Sequence, residues 1–145
     1  MKLKHALFTV IVLTFSLSFY TGPSNELEGT WEMVSGKLIL PDQTIEMPRT
    51  EFESAIKVLN KTHFATVHQD TSTNEIYSNA GTYTLSDETY IENLEYASVV
   101  EMIGKTYYFK STIDGDKWTI SGPLKESDEQ GPEWEVYEVW KKVKD

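Results

Sequence analysis

Gly29-Thr30-Trp31 opens the stretch that decides the fold, a run from Glu26 to Leu40 that alternates like one long strand. In a strand, side chains two positions apart lie on the same face. One face of this run therefore carries Leu27, Gly29, Trp31 and Met33. This apolar and aromatic face predicts that the strand covers a core.

Most of the remaining chain also reads as short strands separated by turn residues. Ser86-Asp87-Glu88 and Asp114-Gly115 sit between alternating segments and are typical of hairpin turns. The further predicted strands are 43–47, 62–70, 80–85, 89–96, 105–113, 117–121 and 134–143. Eight strands with short connections predict an all-β, antiparallel, up-and-down barrel.

One segment, Arg49–Asn60, reads as a helix. Thr50 and Glu53 have the spacing of a capping box, in which each side chain satisfies a free backbone N–H at the helix start. Phe52, Ile56 and Leu59 then form one apolar stripe. We expect one short helix after the first strand or hairpin, packed over one opening of the barrel.

The N-terminus has the pattern of an export signal. Lys2, Lys4 and His5 precede an apolar run of fifteen residues, Ala6–Tyr20, which is short for a membrane span. We expect residues 1–22 to be a cleaved signal peptide and residues 25–145 to form one domain. The alternative is an uncleaved N-terminal anchor.

The chain contains no cysteine. Lipid anchoring at a signal cleavage site needs a cysteine, so that route is excluded, and the fold must hold without disulfides. The expected location is therefore the periplasm or the exterior.

The charge is strongly acidic, with 13 Lys and Arg against 23 Asp and Glu and a formal net charge of −10. Loss of residues 1–22 removes two lysines and no acid, which leaves −12. Such a surface repels phosphate backbones and anionic headgroups. We therefore expect no nucleic-acid partner and, after signal cleavage, no membrane partner.

An ordered set of motifs resembles a family of small secreted lipocalin-like proteins, of the calycin barrel type, from Bacteroidetes-type bacteria. The motifs are Gly29-Thr30-Trp31, Thr62-His63-Phe64, Gly81-Thr82-Tyr83-Thr84, Tyr90-Ile91-Glu92, Gly115-Asp116-Lys117-Trp118, Gly122 and Glu138-Val139-Trp140-Lys141. The resemblance covers nearly all of the chain after the signal. It implies that the glycine of Gly-x-Trp lets the chain turn tightly and that Trp31 plugs one end of the barrel. It implies a fold and a compartment, but no reaction.

Two carboxylates fall on faces that are otherwise apolar or aromatic. Glu92 shares a face with Tyr90 and Tyr96, and Glu138 shares one with Trp140. An inward carboxylate needs a partner, because an isolated buried charge costs several kcal/mol. The candidates are Arg49, Lys110, His63 and the tyrosine hydroxyls. In a functional interpretation, the two carboxylates hold a ligand or do acid–base chemistry. In a structural interpretation, they reach the rim of the barrel or form ion pairs.

The remaining polar motifs give weaker signals. His63 has an ambiguous register and reads either as a hydrogen-bonded structural residue or as a base or ligand contact. His68 lies five residues on, so the two histidines fall on opposite faces and predict no shared metal site. Asp114-Gly115-Asp116 lacks a full calcium-ligand set and reads as a turn. We predict no metal, no cofactor and no catalytic residue.

The aromatic side chains suit either a pocket wall or a filled core. Tyrosine and tryptophan offer an apolar body with a polar tip, which favours a pocket slightly, whereas a small eight-stranded barrel can be filled by its own side chains. Trp134 is a further candidate for the lining. The predicted ligand-binding residues are Trp31, His63, Tyr83, Tyr90, Glu92, Tyr96, Tyr108, Trp118, Glu138 and Trp140.

These observations predict an exported protein that binds a small, lipid-like or otherwise partly apolar molecule. An enzyme that acts on such a molecule through inward Glu or His side chains is an alternative. A protein-interaction domain with a filled barrel is another.

Overall fold

The computed structural model describes residues 25–48, 53–124 and 134–144, in which nine antiparallel strands form a single sheet. A single 3₁₀ turn, Val100–Met102, is the only helical element of these residues, and none of their helices has the length and hydropathy to cross a membrane. The strands are β1 (Gly29–Ile39), β2 (Thr44–Pro48), β3 (Glu53–Leu59), β4 (His63–Asp70), β5 (Ile76–Ser86), β6 (Thr89–Ala97), β7 (Thr106–Asp114), β8 (Lys117–Pro123) and β9 (Glu135–Lys142).

The sheet closes into an eight-stranded antiparallel barrel. Strands β3 to β9 pair with their neighbours in sequence, and β9 returns to pair with β1 from Trp31 to Ile39. The other edge of β1 is shared, with β3 along Gly29–Glu32 and β2 along Ser35–Ile39. The all-β barrel predicted from the sequence is therefore confirmed, although its eighth member is β3 and β2 is an addition.

The predicted helix over Arg49–Asn60 is wrong. Residues 53–59 form strand β3, which pairs with β1 on one side and along its whole length with β4 on the other. Two ladders of backbone hydrogen bonds outweigh the local helical pattern of Ile56 and Leu59, since propensity yields to tertiary pairing. The proposed capping residue Thr50 and the first stripe residue Phe52 lie outside the described residues.

The two ends of the barrel differ in their connections. At one end, here called the closed end, turns of two or three residues join β3 to β4, β5 to β6 and β7 to β8. At the other, the open end, longer connections join β4 to β5, β6 to β7 and β8 to β9. Strand directions therefore place the turns predicted at Asp87 and Gly115 at the closed end.

Trp31 fills the closed end. Its side chain is fully buried, its ring meets Trp118 edge-on at 5.5 Å, and its Nε1 donates to the Leu27 carbonyl at 2.9 Å. Gly29 has φ +128°, a conformation that L side chains rarely adopt, and a Cβ there would lie 3.1 Å from Lys142 Cε. The glycine thus allows the turn that brings the Leu27 carbonyl to the Trp31 indole N–H.

A second contact at this end joins the N-terminal segment to the β3–β4 turn. The Tyr83 hydroxyl accepts a hydrogen bond from Asn25 Nδ2 at 2.6 Å and donates to the Asn60 carbonyl at 2.7 Å. Burial raises the pKa of Tyr83 to about 12, and the negative charge of Glu28 adds to the rise.

Trp31→Ala is expected to lower the free energy of unfolding by about 3–5 kcal/mol, because it removes a large buried ring and leaves a cavity. Chemical denaturation measures the change. Trp134→Ala is the control, because Trp134 is 42% exposed and should matter little. Equal effects of the two substitutions would contradict the assignment of Trp31 as the plug.

Tyr83→Phe is expected to lower the melting temperature at pH 8, because two hydrogen bonds are lost. A tyrosine whose pKa is raised on folding stabilises the fold fully below its unfolded pKa of about 10. That contribution is lost as the pH rises towards the folded pKa of about 12. The deficit of Tyr83→Phe relative to the wild type should therefore shrink between pH 10 and pH 12. A constant deficit would argue against the raised pKa.

Candidate functional site

A buried ion pair lies inside the barrel. Strand β3 directs Lys57 inward, and its Nζ donates to Glu92 Oε1 of β6 at 2.7 Å. Only 5% of the lysine side chain and 10% of the glutamate side chain are exposed. The two charges attract each other strongly because they are close together and shielded from water. Each needs the other, since a buried charge without a partner costs several kcal/mol.

Four aromatic rings surround the Lys57 ammonium. Its Nζ lies 5.2 Å from the Trp140 ring centroid, 5.3 Å from Trp118, 5.5 Å from Tyr90 and 5.6 Å from Phe64. A cation within about 6 Å of a ring face is attracted by the negative charge of that face, most strongly where water is excluded. The aromatic cage and Glu92 together replace the water that the lysine loses on folding.

Strand β3 has an inverted pattern. Ala55, Lys57 and Leu59 face the interior, while Ile56 and Val58 are 40% and 47% exposed on the outer face. A slip of one residue would bury both β-branched side chains and expel the lysine. Strand β3 therefore adopts the register that the inward lysine requires, against its own apolar pattern.

A cavity of about 70 Å³ lies beside the ion pair. Its polar lining consists of Lys57, Thr66, His68, Asn79, Glu92 and Glu138, and its apolar lining of Leu94, Met102, Tyr107, Phe109, Ile120 and Leu124. Met102 belongs to the β6–β7 connection and Leu124 follows β8, so the cavity faces the open end. Its volume admits a few water molecules or a small chemical group, well below the ~300 Å³ or more of a site for a drug-sized molecule.

Two buried hydroxyls have no hydrogen-bonding partner among the described residues. They are Thr66 Oγ1, which belongs to the cavity wall, and Tyr90 Oη, in the cage below. Burial raises the pKa of Tyr90 well above its usual value, and the nearby negative charge of Glu92 adds to the rise. Buried polar groups are nearly always paired, so the Thr66 hydroxyl is a candidate contact for a molecule in the cavity.

Glu138 is the second carboxylate of the cavity. Its Oε2 accepts a hydrogen bond from Trp140 Nε1 at 2.9 Å, and the described part of the chain supplies no basic side chain as an ion-pair partner. His68 stands nearby, with its ring edge-on to Trp140 at 6.4 Å. Within the described ranges, no group of three or more His, Asp or Glu residues has the geometry to hold a metal ion.

The residues predicted as ligand contacts occupy four different places. Glu92 and Glu138 line the cavity, and Tyr90, Trp118 and Trp140 form the cage beside it. Trp31 and Tyr83 lie at the closed end. His63, Tyr96 and Tyr108 are exposed on the outside, where His63 Nδ1 is 2.7 Å from Thr62 Oγ1.

The partners suggested for the inward carboxylates are elsewhere. Lys110 lies on the surface, 3.9 Å from Glu88, and Arg49 is outside the described residues. Lys57, Thr66 and His68 were missed as cavity residues. The helical interpretation placed Lys57 off the apolar stripe, and alternation within β3 would have assigned it to solvent, so no local signal indicated its position.

Comparison with known families gives a match between residues 26–145 and a family described as a domain of unknown function, DUF4488. The chain belongs to this family. Its match covers the whole barrel, so the barrel and the cavity are both part of the family domain. A comparison with curated proteins found no match. The lipocalin-like, calycin and Bacteroidetes assignments remain predictions from the sequence motifs.

Lys57→Met is expected to lower the free energy of unfolding by about 3–5 kcal/mol, because Glu92 is left buried without a counter-charge. Adding Glu92→Leu should restore much of the loss, since the double variant buries no charge. Denaturation in urea gives the free energy of unfolding of the wild type and of each variant. Lys110→Met removes an exposed cation and should change little. A double variant that is no more stable than Lys57→Met would show that the two residues are not coupled.

Proposed function

We propose that this protein is an exported binding protein that holds a small, partly apolar molecule at the open end of its barrel. The observation that carries the proposal is the cavity beside Lys57 and Glu92. It combines apolar side chains with an equal number of polar and charged ones, and such polar groups fix the orientation of a ligand in small-molecule sites. One of those groups is the hydroxyl of Thr66. The residue is only 3% exposed, and its hydroxyl has no hydrogen-bonding partner among the described residues.

The size of the cavity limits how the molecule binds. A volume of about 70 Å³ accommodates a head group but not a whole lipid. We propose that the head group enters the cavity and that the rest of the molecule extends through the open end. The apolar side chains of Met102 and Leu124 lie along that route.

The rigid wall around the cavity supports this function. The cage of Tyr90, Trp118 and Trp140 holds Lys57 and Glu92 in place before a ligand arrives, so little ordering remains to be done on binding. Export is part of the proposal and rests on the basic and apolar pattern of residues 1–20.

Thr66→Val tests the site with a nearly isosteric change. In the ligand-free protein the cavity has room for water to bond to this hydroxyl, so the free energy of unfolding should change by no more than about 1 kcal/mol. Ligand retention should fall, because the hydroxyl can no longer bond to the ligand. Native mass spectrometry of protein recovered outside the cytoplasm of its own host would show the bound molecule and the loss of about 22 residues.

The matched control is Thr112→Val, an exposed threonine of β7. It should change neither stability nor retention. If wild-type protein from its host carries no small molecule and takes up none added to it, the binding proposal is wrong. Retention of the full N-terminus would refute export alone.

A protein-interaction domain is a second candidate, favoured by the outer face of β3 to β6. There Ile56 pairs across strands with Val67, Val58 with Ala65, and Ala80 with Tyr96. Exposed apolar clusters of this kind are typical of protein contacts. The same retention measurement separates the two candidates, because a contact on the outer face does not depend on Thr66.

A further inference from the structure

We infer that the cavity selects molecules whose head group is a cation, specifically a primary ammonium bound by Glu138. This inference rests on the proposed binding function and names its ligand class. It starts from the charges of the cavity wall. Lys57 and Glu92 neutralise each other at 2.7 Å, whereas the described residues give Glu138 no basic partner. Among the lysine and glutamate side chains of the wall, one negative charge is therefore left over.

The neutral groups of the wall suit an ammonium as well. Thr66 Oγ1 is buried, lines the same cavity and has lone pairs that no described donor uses. An ammonium has three N–H donors, so it can bond to Glu138, to Thr66 and to a third acceptor such as the Asn79 amide oxygen. A ligand carboxylate could offer none of these donors and would face Glu92 and Glu138 as like charges.

The aromatic wall and the net charge act in the same direction. Tyr107 and Phe109 line the cavity, with ring centroids 6.3 Å apart and nearly parallel planes. Aromatic faces attract cations, as the cage around Lys57 already illustrates. The chain as a whole carries a formal charge of −10, which raises the local concentration of cations and lowers that of anions.

Three probes with the same six-carbon chain test the inference: n-hexylamine, 1-hexanol and hexanoate. Binding is measured at pH 8 and 150 mM salt by NMR, through the indole N–H signal of Trp140. That group donates to Glu138 Oε2 at 2.9 Å and therefore reports on the cavity and not on the acidic surface. Hexylamine should bind at least tenfold more tightly than hexanol, and hexanoate should bind most weakly, because a charge-assisted hydrogen bond is worth about a factor of ten or more.

Glu138→Gln should remove the preference for hexylamine over hexanol while hexanol binding stays within about threefold. Glu135→Gln is the matched control, because it removes one charge from the same strand on the exposed face and should leave the preference intact. The order of the three probes on the wild type stands as an independent test if Glu138→Gln does not fold.

Hexanoate binding as tight as hexylamine, or an unchanged preference in Glu138→Gln, overturns the inference about the cation and leaves a binding cavity in place. Failure of all three probes to perturb the Trp140 signal overturns both the inference and the proposed function.

Discussion

The contact between Lys57 and Glu92 governs the interior of this barrel. It joins β3 to β6 across two intervening strands, and it is buried on both sides. A buried ion pair gains little net free energy over a well-packed apolar pair, because both charges lose their water. Its effect is on specificity: any register of β3 that moves the lysine outward leaves Glu92 as an unpaired buried charge. The pair therefore selects one arrangement among several that would bury similar apolar area.

The aromatic residues divide the barrel into two regions. Trp31, Trp118, Trp140 and Tyr90 are fully buried and occupy the closed end and the middle, so that little space remains there. The polar groups then lie towards the open end, where loops are long. Composition alone presents a filled core and a cavity as alternatives. In the barrel both occur, with the filled core at the closed end and in the middle and the cavity towards the open end.

Much of this arrangement follows from the sequence. Turn residues at Asp87 and Gly115 set the hairpins, and alternation placed Glu92 and Glu138 on the interior faces of β6 and β9. Strand β3 could not be predicted in the same way. Its apolar residues Ile56 and Leu59 fit a helix, and its strand conformation is decided by pairing with β1 and β4 and not by a signal within its own residues. Tyr108 is wrongly assigned to the lining because aromatic content does not distinguish the two faces of a strand. Alternation places Tyr96 beside Glu92, but the register of β5 and β6 shifts between Ala80 and Gly81, and Tyr96 lies outside.

The inward lysine and the apolar outer face of β3 are two consequences of the same register. Moving Lys57 inward forces Ile56 and Val58 outward, where they lie beside Val67 and Ala65. The opposite register would exchange Ala55 and Leu59 for Ile56 and Val58 in the interior and would leave the lysine in water, so it would avoid the cost of burying a charge. Local sequence preference and global structure usually agree, and exceptions tend to occur at functional sites. The exception here sets Lys57 in the wall of the cavity, and this is the strongest reason to look for the function of the protein inside its barrel.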